Sequence, residues 1–326
     1  MNKLINVFSS ILFILLSISC NSQNNSTEKE KETAKIETIA ADKILKKIQN
    51  NESVFIANSI ITGELDFTKC GKNENDEAKG SLRSYISSSV TFSYCTFENK
   101  VSGYKNEPDC NHTVTFEKNL TFLNCTFKDE VNFKDCSVNG LTNFSGSTFQ
   151  KITNFEGAYF TYKDIYFSET TFFDELKCQR IVANGNLSFF KSEFKGITSF
   201  QNARFGGDVQ FGASKFLQYA DFGNIIANAG FYCNYTEFAK AIFNNSTFKQ
   251  RTEFQYAKFN NYTEFKKSCF YGSTLLNNIT INNIFDLENA SFYSGKPVSN
   301  DIIKNENSQI NFKNTTFIES KNLINF

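Results

Sequence analysis

Large apolar residues, mostly phenylalanine, recur along this chain at alternating steps of five and six residues. Between residues 198 and 216, the sequence TSFQNARFGGDVQFGASKF places Phe200, Phe205, Phe211 and Phe216 at this spacing. An α-helix repeats its apolar face every three to four residues and a plain strand every second residue, so neither element explains the spacing. Two steps make a unit of eleven residues and four make 22. A period this long predicts a repeat architecture.

Each unit also alternates large and small inward positions. A small residue stands two places before the second phenylalanine of a unit, and a β-branched residue often stands two places before the first. Residues two apart on a strand point to the same side, so each step sends two residues inward and the one between them outward. The small residues are Cys125, Cys136, Ser147, Ala158, Ser192, Ala203, Ser214, Ala257, Ser268 and Ala290. The outward position holds charged residues, among them Glu253, Glu264, Arg204, Lys215 and Lys258.

This pattern resembles that of the pentapeptide-repeat family, in its variant with an eleven-residue double unit, as in NFSGSTFQKITNFEGAYF at 143–160. The resemblance covers residues 54–320 and is clearest from 114 to 292. It implies an all-β fold: a right-handed quadrilateral parallel β-helix, the pentapeptide-repeat solenoid, with four short faces per coil. A three-faced parallel β-helix is the alternative. The four regular steps in each 22-residue period favour four faces over three.

The period predicts which rings stack in such a solenoid. Each phenylalanine should lie against the one 22 residues later, with a slip of one residue just before Phe243. The predicted pairs include Phe122 with Phe144, Phe200 with Phe222 and Phe243 with Phe265. About eight coils between residues 92 and 270, at roughly 4.8 Å each, would make a rod about 40 Å long.

The first 20 residues resemble a bacterial lipoprotein signal peptide. Lys3 precedes an apolar run from Leu4 to Ile18, and the segment ends in LSISC, whose Cys20 would carry the lipid. The alternative is an ordinary cleaved signal peptide with an incidental cysteine. Residues 21–35, NSQNNSTEKEKETAK, are polar and free of aromatic residues, which predicts a disordered tether.

The folded part is predicted to begin with a cap. Residues 36–51 place their apolar residues on one helical face, so we expect a short amphipathic α-helix there. Such a helix would cover the first coil of the β-solenoid predicted over residues 54–320. Loop insertions are expected where polar stretches break the repeat, near 71–83, 101–113 and 294–309. Loops on a scaffold often carry function.

Catalytic and metal chemistry have few candidates in this sequence. The one histidine, His112, lies in a polar stretch near Pro108, and we expect a surface histidine with no catalytic role. No phosphate-binding glycine loop, HExxH or CxxC motif occurs. With one histidine and no paired cysteine spacing, neither a metal site nor a cofactor is expected.

The eight cysteines after Cys20 are expected to be mostly free and buried. Cys95, Cys125 and Cys136 occupy the small inward position, where a thiol acts as a small apolar group. A disulfide needs Cα atoms within about 7 Å. Only cysteines about one coil apart along the chain can come this close. The only such pair is Cys70 with Cys95, provided that the loop between them protrudes from the coil. Cys110 is the cysteine that we expect to be most exposed.

Carboxylates and tyrosines leave a carbohydrate-active β-helix open as an alternative. The carboxylates considered are Asp208, Asp221, Glu237, Glu253 and Glu264, and the glutamates of the repeated TEF units are expected on a solvated face. The tyrosines that could stack on sugars are Tyr162, Tyr166, Tyr232, Tyr235 and Tyr256. A hydrolase or lyase needs charged groups that converge in a cleft, and the repeat pattern predicts none.

These observations favour a non-enzymatic scaffold or interaction protein of the bacterial cell envelope, anchored to a membrane through a lipid on Cys20. Its partner would be a protein, a glycan or a second copy of the chain. The 34 basic and 34 acidic residues balance, which argues against nucleic-acid binding. The DNA mimics of the pentapeptide-repeat family, which shield topoisomerases, have strongly acidic faces and are a weaker alternative. The outward residues Arg204, Asp208, Gln210 and Lys215 are the ones to follow in the structure.

Overall fold

The computed structural model describes residues 36–76, 81–108 and 110–318. They form a regular parallel β-solenoid of about 12 turns, so the predicted all-β parallel β-helix is confirmed. The predicted signal peptide (1–20), with Cys20, and the predicted tether (21–35) lie outside the described residues. No helix among the described residues is long and apolar enough to cross a membrane.

Each regular coil contains four strand positions, and we name the four resulting stacks faces 1 to 4. Face 1 comprises Val54–Ala57, Val90–Ser93, Leu120–Leu123, Thr142–Asn143, Ile165–Tyr166, Leu187–Ser188, Val209–Gln210, Phe231–Tyr232, Thr252–Glu253 and Thr274–Leu275. Face 2 comprises Glu37–Ala40, Ser59–Thr62, Thr96–Phe97, Thr126–Phe127, Thr148–Phe149, Thr171–Phe172, Glu193–Phe194, the start of Lys215–Asp221, the start of Glu237–Ile242, Lys258–Phe259, Thr280–Ile281 and Ile303–Lys304.

The remaining strands form the other two stacks. Face 3 comprises Leu65–Asp66, Val101–Ser102, Val131–Asn132, Thr153–Asn154, Leu176–Lys177, Thr198–Ser199, the ends of Lys215–Asp221 and Glu237–Ile242, Thr263–Glu264, Ile284–Asp286 and Gln309–Asn311. Face 4 comprises Ser81–Ile86, Asn111–Phe116, Ser137–Val138, Tyr159–Phe160, Val182–Ala183, Arg204–Phe205, Ile226–Ala227, Thr247–Phe248, Cys269–Phe270, Ser291–Phe292 and Thr316–Phe317. Two further strands, Lys72–Asp76 and Tyr104–Asn106, pair antiparallel at face 4.

The phenylalanine ladders form the core as predicted. The rings of Phe122 and Phe144 have centroids 5.1 Å apart, those of Phe200 and Phe222 5.3 Å, and those of Phe243 and Phe265 4.5 Å. The interplanar angles of these pairs are 11° or less. Because single coils cannot bury such rings alone, the ladder supplies one continuous apolar core.

Serine is tolerated in the small inward position because its hydroxyl finds a backbone partner. Ser192 is fully buried, and its Oγ donates to the carbonyl of Phe167 at 2.6 Å. The same oxygen accepts from the amide of Thr170 at 3.2 Å. A satisfied hydroxyl avoids the desolvation cost of a buried polar group, so serine can replace alanine there.

The alternation of five and six residues produces two kinds of corner. The five-residue steps turn through one residue in the left-handed region, such as Asn124 (φ 52°), Asp135 (φ 53°) and Gly146 (φ 68°). The six-residue steps use a wider corner, which from residue 114 to 292 contains no residue with positive φ. Asparagine, aspartate and glycine tolerate the left-handed region best. The sixth residue therefore widens alternate corners.

The predicted slip of one residue lies at the corner between faces 2 and 3. Lys215–Asp221 and Glu237–Ile242 each continue around this corner as one strand. Their parallel register shifts between Phe216 and Tyr219, so one coil is a residue shorter and the ladders still align on both sides.

The N-terminal cap is shorter than the predicted helix over 36–51. The helix α1 spans Ala41–Gln49, and Glu37–Ala40 instead forms a strand parallel to Ser59–Thr62. The strand is favoured because it pairs the backbone edge of the first coil, which a helix would leave without partners. The apolar face of α1 is buried against the first coil; it consists of Ala41, Ile44, Leu45 and Ile48.

The stretch 294–309 is also less of a loop than predicted. Val298 forms a parallel bridge with Leu275, and Ile303–Lys304 pairs with Thr280–Ile281. The solenoid thus continues through this polar stretch, because backbone pairing with the preceding coil does not require apolar side chains.

Candidate functional site

The regular repeat is interrupted at face 4, where both predicted N-terminal loops are β-hairpins. The first hairpin pairs Lys72–Asp76 with Ser81–Ile86, and the second pairs Tyr104–Asn106 with Asn111–Phe116. The long strands of the two hairpins also pair with each other in parallel over six residues. We call the two hairpins together the hairpin platform. Its sequence is polar because its strands extend past the apolar axis of the coil.

His112 lies in the second hairpin and is buried, so the expected surface histidine is wrong. Only 6% of the residue is exposed, and its Nε2 lies 2.7 Å from the Ser84 Oγ. Polar spacing suggested a loop, but the parallel pairing of Asn111–Phe116 with Ser81–Ile86 turns this side chain toward the core side. Burial lowers the pKa of His112, while the nearby carboxylates of Glu107 and Asp66 oppose that effect.

A serine–histidine contact is also part of the machinery of nucleophilic hydrolysis. Ser84 is completely buried, and its Oγ also lies 3.4 Å from the carbonyl of Thr68. The nearby Asp66 uses its Oδ1 to accept from the Thr68 amide and hydroxyl, which caps the short 3-10 helix Phe67–Lys69. Ser84 and His112 are both buried, and their contact joins the long strands of the two hairpins.

The outer surface of the platform is held by polar contacts. Arg83 donates from one guanidinium nitrogen to Thr115 Oγ1 at 3.1 Å and to Ser137 Oγ at 3.0 Å. Tyr104 donates to Asn111 Oδ1 at 2.9 Å, and the Lys134 ammonium lies 5.7 Å from the Tyr104 ring centroid. These contacts cross three coils and make this part of face 4 a fixed polar surface.

Of the TEF glutamates that were expected on a solvated face, Glu237 is partly exposed, whereas Glu253 and Glu264 are buried. Glu253 is only 7% exposed and Glu264 8%. Lys266 lies 2.6 Å and Asn244 2.6 Å from the Glu264 carboxylate, and Tyr262 donates to it as well. Burial by itself raises the pKa of Glu264, but these hydrogen bonds outweigh it, and the pKa lies below its ordinary value.

This polar network extends along face 3. Lys266 also pairs with Asp286 of the next coil at 3.3 Å, and its pKa is raised chiefly by its hydrogen bond with Glu264. The Lys240 ammonium lies between two tyrosine rings, one in the preceding coil and one in the following coil. It is 5.2 Å from the ring centroid of Tyr219 and 6.0 Å from that of Tyr262. The charges are thus paired within the face. Among the described residues, no group of three or more His, Cys, Asp or Glu could hold a metal ion.

The other outward residues that the sequence analysis singled out lie apart from one another. Arg204 lies on face 4, Gln210 on face 1 and Lys215 on face 2. Asp208 lies at the corner before face 1, where its Oδ1 accepts from the Gly230 amide at 2.8 Å. Their separation follows from their positions in one coil, so they do not form a common site.

Four tyrosines, three of them exposed and Tyr293 partly buried, form two short external ladders. Tyr235 and Tyr256, at the corner between faces 1 and 2, have ring centroids 4.7 Å apart and are 63% and 47% exposed. Tyr271 and Tyr293 stack at 4.5 Å. Of the other candidates for sugar stacking, Tyr162 is exposed, whereas Tyr166 and Tyr232 are partly buried.

An apolar cavity of about 170 Å³ lies at the C-terminal end of the described solenoid. Its walls include Leu276, Ile279, Phe285, Leu287, Ile310 and Phe317. These are core positions of the last coils, where the ladder is less complete than in the centre.

All eight cysteines after Cys20 are free, as expected for most of them, and six of these are buried. Cys110 is partly buried, and so is Cys269, which points outward on face 4. Cys95 and Cys125 lie in adjacent coils, which sequence separation had not suggested.

Comparison with models of protein families, with curated proteins and with solved structures finds no match to this chain.

Proposed function

We propose that this protein is a non-enzymatic scaffold or interaction protein of the pentapeptide-repeat type, held at a membrane of the bacterial cell envelope through a lipid on Cys20. The observation that carries the proposal is that phenylalanine side chains fill the interior of the solenoid along its axis. Phenylalanine rings of successive coils stack at 4.3–5.6 Å along the regular part, for example Phe194 with Phe216 and Phe238 with Phe259. A partner therefore has only the outer faces, the hairpin platform and the rod ends to contact.

The outer charge pattern favours a protein partner over a nucleic-acid one. On face 2 the outward residues alternate in register along four coils: Glu193, Lys215, Glu237 and Lys258. A DNA mimic needs rows of negative charge, and alternating signs cancel the field that would attract a DNA-binding protein. No nucleic-acid partner is proposed.

The platform is the surface that we propose contacts the partner. It departs from the repeat, it is fixed by the Arg83 and Tyr104 hydrogen bonds, and it presents exposed polar groups such as Lys105. Rigid surfaces lose little conformational entropy on association, which favours specific binding.

The membrane anchor is tested by metabolic labelling with radioactive palmitate. We expect the native chain to be labelled and to fractionate with membranes, and the Cys20→Ala variant to lose both properties. Unchanged labelling of Cys20→Ala would overturn the anchor.

The interaction surface is tested by photocrosslinking in intact cells, with a photoreactive residue at Lys105 on the platform or at Lys215 on face 2. We expect a discrete crosslinked product from position 105 and none from position 215. The product is then identified by mass spectrometry, which separates a protein partner from a second copy of this chain. Products of equal yield at both positions would contradict a platform-specific interface.

A second candidate function is carbohydrate binding, favoured by the exposed Tyr235–Tyr256 stack. Stacked aromatic rings present an apolar face to a sugar, and Asn234 and Gln255 nearby carry amide groups, although both contact Glu253. Binding of envelope polysaccharides that a Tyr235→Ala/Tyr256→Ala double variant loses would support this candidate. A Tyr162→Ala variant, with its exposed and unstacked ring, is the matched control.

A further inference from the structure

Two cysteines lie directly next to each other across adjacent coils. Cys95 and Cys125 each precede a strand of face 2, and these strands pair in parallel with Thr96 opposite Thr126. The amide of Thr126 donates to the carbonyl of Cys95 at 2.8 Å. Neighbouring strands lie about 4.8 Å apart, which is within the range of Cα separations that disulfides span, about 4.4–6.8 Å.

Their separation along the chain hides this proximity. The two cysteines are 30 residues apart because the second hairpin is inserted between their coils, whereas a regular coil separates stacked residues by 22. A separation of about one regular coil predicts Cys70 with Cys95, whereas the structure brings Cys95 to Cys125.

The side chains also face the same interior position. Both residues are 1% exposed, and Cys95 Sγ lies 3.4 Å from the carbonyl of Ser93, as Cys125 Sγ does from that of Leu123. The neighbouring Cys125 thiol lowers the pKa of Cys95, while burial opposes that effect. The next three coils hold Ser147, Thr170 and Ser192 in the same column, so packing alone does not require sulfur there.

We propose that Cys95 and Cys125 form a disulfide that joins the second and third coils when the chain folds in an oxidising compartment. The proposal rests on the proposed function, because only export to the cell envelope supplies such a compartment. The oxidant is a protein disulfide of the thiol–disulfide oxidoreductase class.

The exchange proceeds in two balanced steps. The Cys95 thiolate attacks one sulfur of the oxidant's disulfide, which forms a mixed disulfide and releases one oxidant thiolate. The Cys125 thiolate then attacks the Cys95 sulfur, which forms the Cys95–Cys125 bond and releases the second oxidant thiolate. The two protons of the cysteine thiols end on the oxidant, which leaves as a dithiol. Because both sulfurs are buried in the folded coil, the exchange takes place before the coils close.

The bond would fix the base of the hairpin platform. It closes the segment between residues 95 and 125, which contains the whole second hairpin and His112. Cross-linking two coils restricts the unfolded chain and so favours the paired coils.

The test uses the full-length chain expressed with its own leader. Cells are treated with an alkylating reagent, membranes and cytoplasm are separated, and the denatured protein is digested with trypsin for mass spectrometry. We expect peptide 84–100 linked to peptide 119–128, and we expect reduction to abolish this species and release two further thiols per chain. Recovery of alkylated Cys95 and Cys125 from the envelope fraction would overturn the proposal.

Variants separate the bond from general thiol chemistry. Cys95→Ser should leave Cys125 fully alkylated, and Cys125→Ser should do the same for Cys95; serine suits this column, as at Ser147. Cys136→Ser is the matched control, because Cys136 fills a small inward position with no cysteine in register and its Sγ contacts the Gly103 carbonyl. We expect the linked peptides to persist in that variant.

The outcome for the proposed function is read separately from the fractionation. If the chain is found in the cytoplasm, the envelope function fails, and the denatured full-length chain is refolded in a mixture of reduced and oxidised glutathione. Linked Cys95 and Cys125 peptides from that refolded chain would support the pairing. Free Cys95 and Cys125 would overturn it.

Discussion

Two regions of the rod use the same repeat unit but differ in which residues they bring into contact. They are the regular part, residues 120–292, and the two coils before it, residues 54–116. In the regular part, each inward position repeats the one before it, and rings stack on like rings, as Phe167 does on Phe189 at 4.8 Å. In the first two coils the strands also pair in register, but unlike residues lie opposite each other, Ile56 against Phe92 and Ile61 against Phe97. Repetition therefore supplies the stacked core, whereas departures from it bring unlike residues together.

The same contrast appears in the polar groups. The first coils bury His112 against Ser84 and bring Cys95 against Cys125 of the coil that follows. The regular part pairs its charges along an outer face, as Lys266 does with Glu264 and Asp286. Buried polar and thiol contacts that the repeat does not predict are therefore concentrated near the insertions.

The largest expected effect is loss of a ring from the regular ladder. Phe211 stacks on Phe189 at 5.3 Å and packs edge to face on Phe200 at 5.4 Å. Phe211→Ala should lower the free energy of unfolding by about 3–5 kcal/mol, because a cavity remains between fixed coils. Urea unfolding followed by circular dichroism measures the change. Phe173→Ala, at a ring 49% exposed, is the control and should change little; equal losses would contradict the ladder as the source of stability.

The next effect concerns the buried charges of face 3. Lys266→Met leaves Glu264 and Asp286 without their shared cation, and the free energy of unfolding should fall by about 1–2 kcal/mol. Because hydrogen bonds in the folded chain hold the pKa of Glu264 below its ordinary value, their stabilisation is present above pH 4–5 and is lost as the pH falls through the folded pKa. Lys258→Met, at an exposed lysine of face 2, is the control. A loss as large in Lys258→Met would show that the network contributes nothing specific.

A smaller effect distinguishes the first coils by pH. Burial lowers the pKa of His112, so the unfolded chain binds its proton more readily than the folded chain. The neutral ring makes its full contribution to the free energy of unfolding above the ordinary histidine pKa of about 6.5. This contribution decreases as the pH falls below that value, by at most about 1.4 kcal/mol per pH unit. Thermal unfolding from pH 7.5 to 5 should show this decrease in the native chain.

The same series in His112→Asn should lack that part of the pH dependence, because the asparagine side chain binds no proton in this pH range. The charged groups around His112 are Glu107, Asp66 and Lys105. Parallel pH profiles for the native chain and His112→Asn would rule out the buried histidine as the source.

The smallest effect tests the left-handed corners of the regular part. Ala213 has φ 58°, which costs alanine about 1–2 kcal/mol relative to the right-handed region. Ala213→Gly should raise the free energy of unfolding by about 0.5–1 kcal/mol, after the greater entropy of glycine in the unfolded chain is counted. Ala203→Gly, at a buried inward position without positive φ, should lower it. Destabilisation by both substitutions, seen in urea midpoints, would contradict the strain at this corner.

Sequence reasoning predicted the regular part well because its information is local and repeated. The steps of five and six assigned Phe200, Phe205, Phe211 and Phe216 to the interior, and all four are at most 1% exposed. It also located the slip before Phe243, since a single deleted residue shifts every later position. The burial of Glu264 was missed because part of its cover comes from Asn244, which lies in the preceding coil.

The period, the inward residues and the stacking partners follow from the sequence, because each repeated step has the same side-chain preference. The structure of the insertions follows only from the folded chain. A polar stretch between coils has no period, so its residues alone do not say whether it forms a loop or a hairpin, or which residues it brings into register. The pairing of backbone groups settled this: the strands of face 4 placed His112 against Ser84, and those of face 2 placed Cys95 beside Cys125.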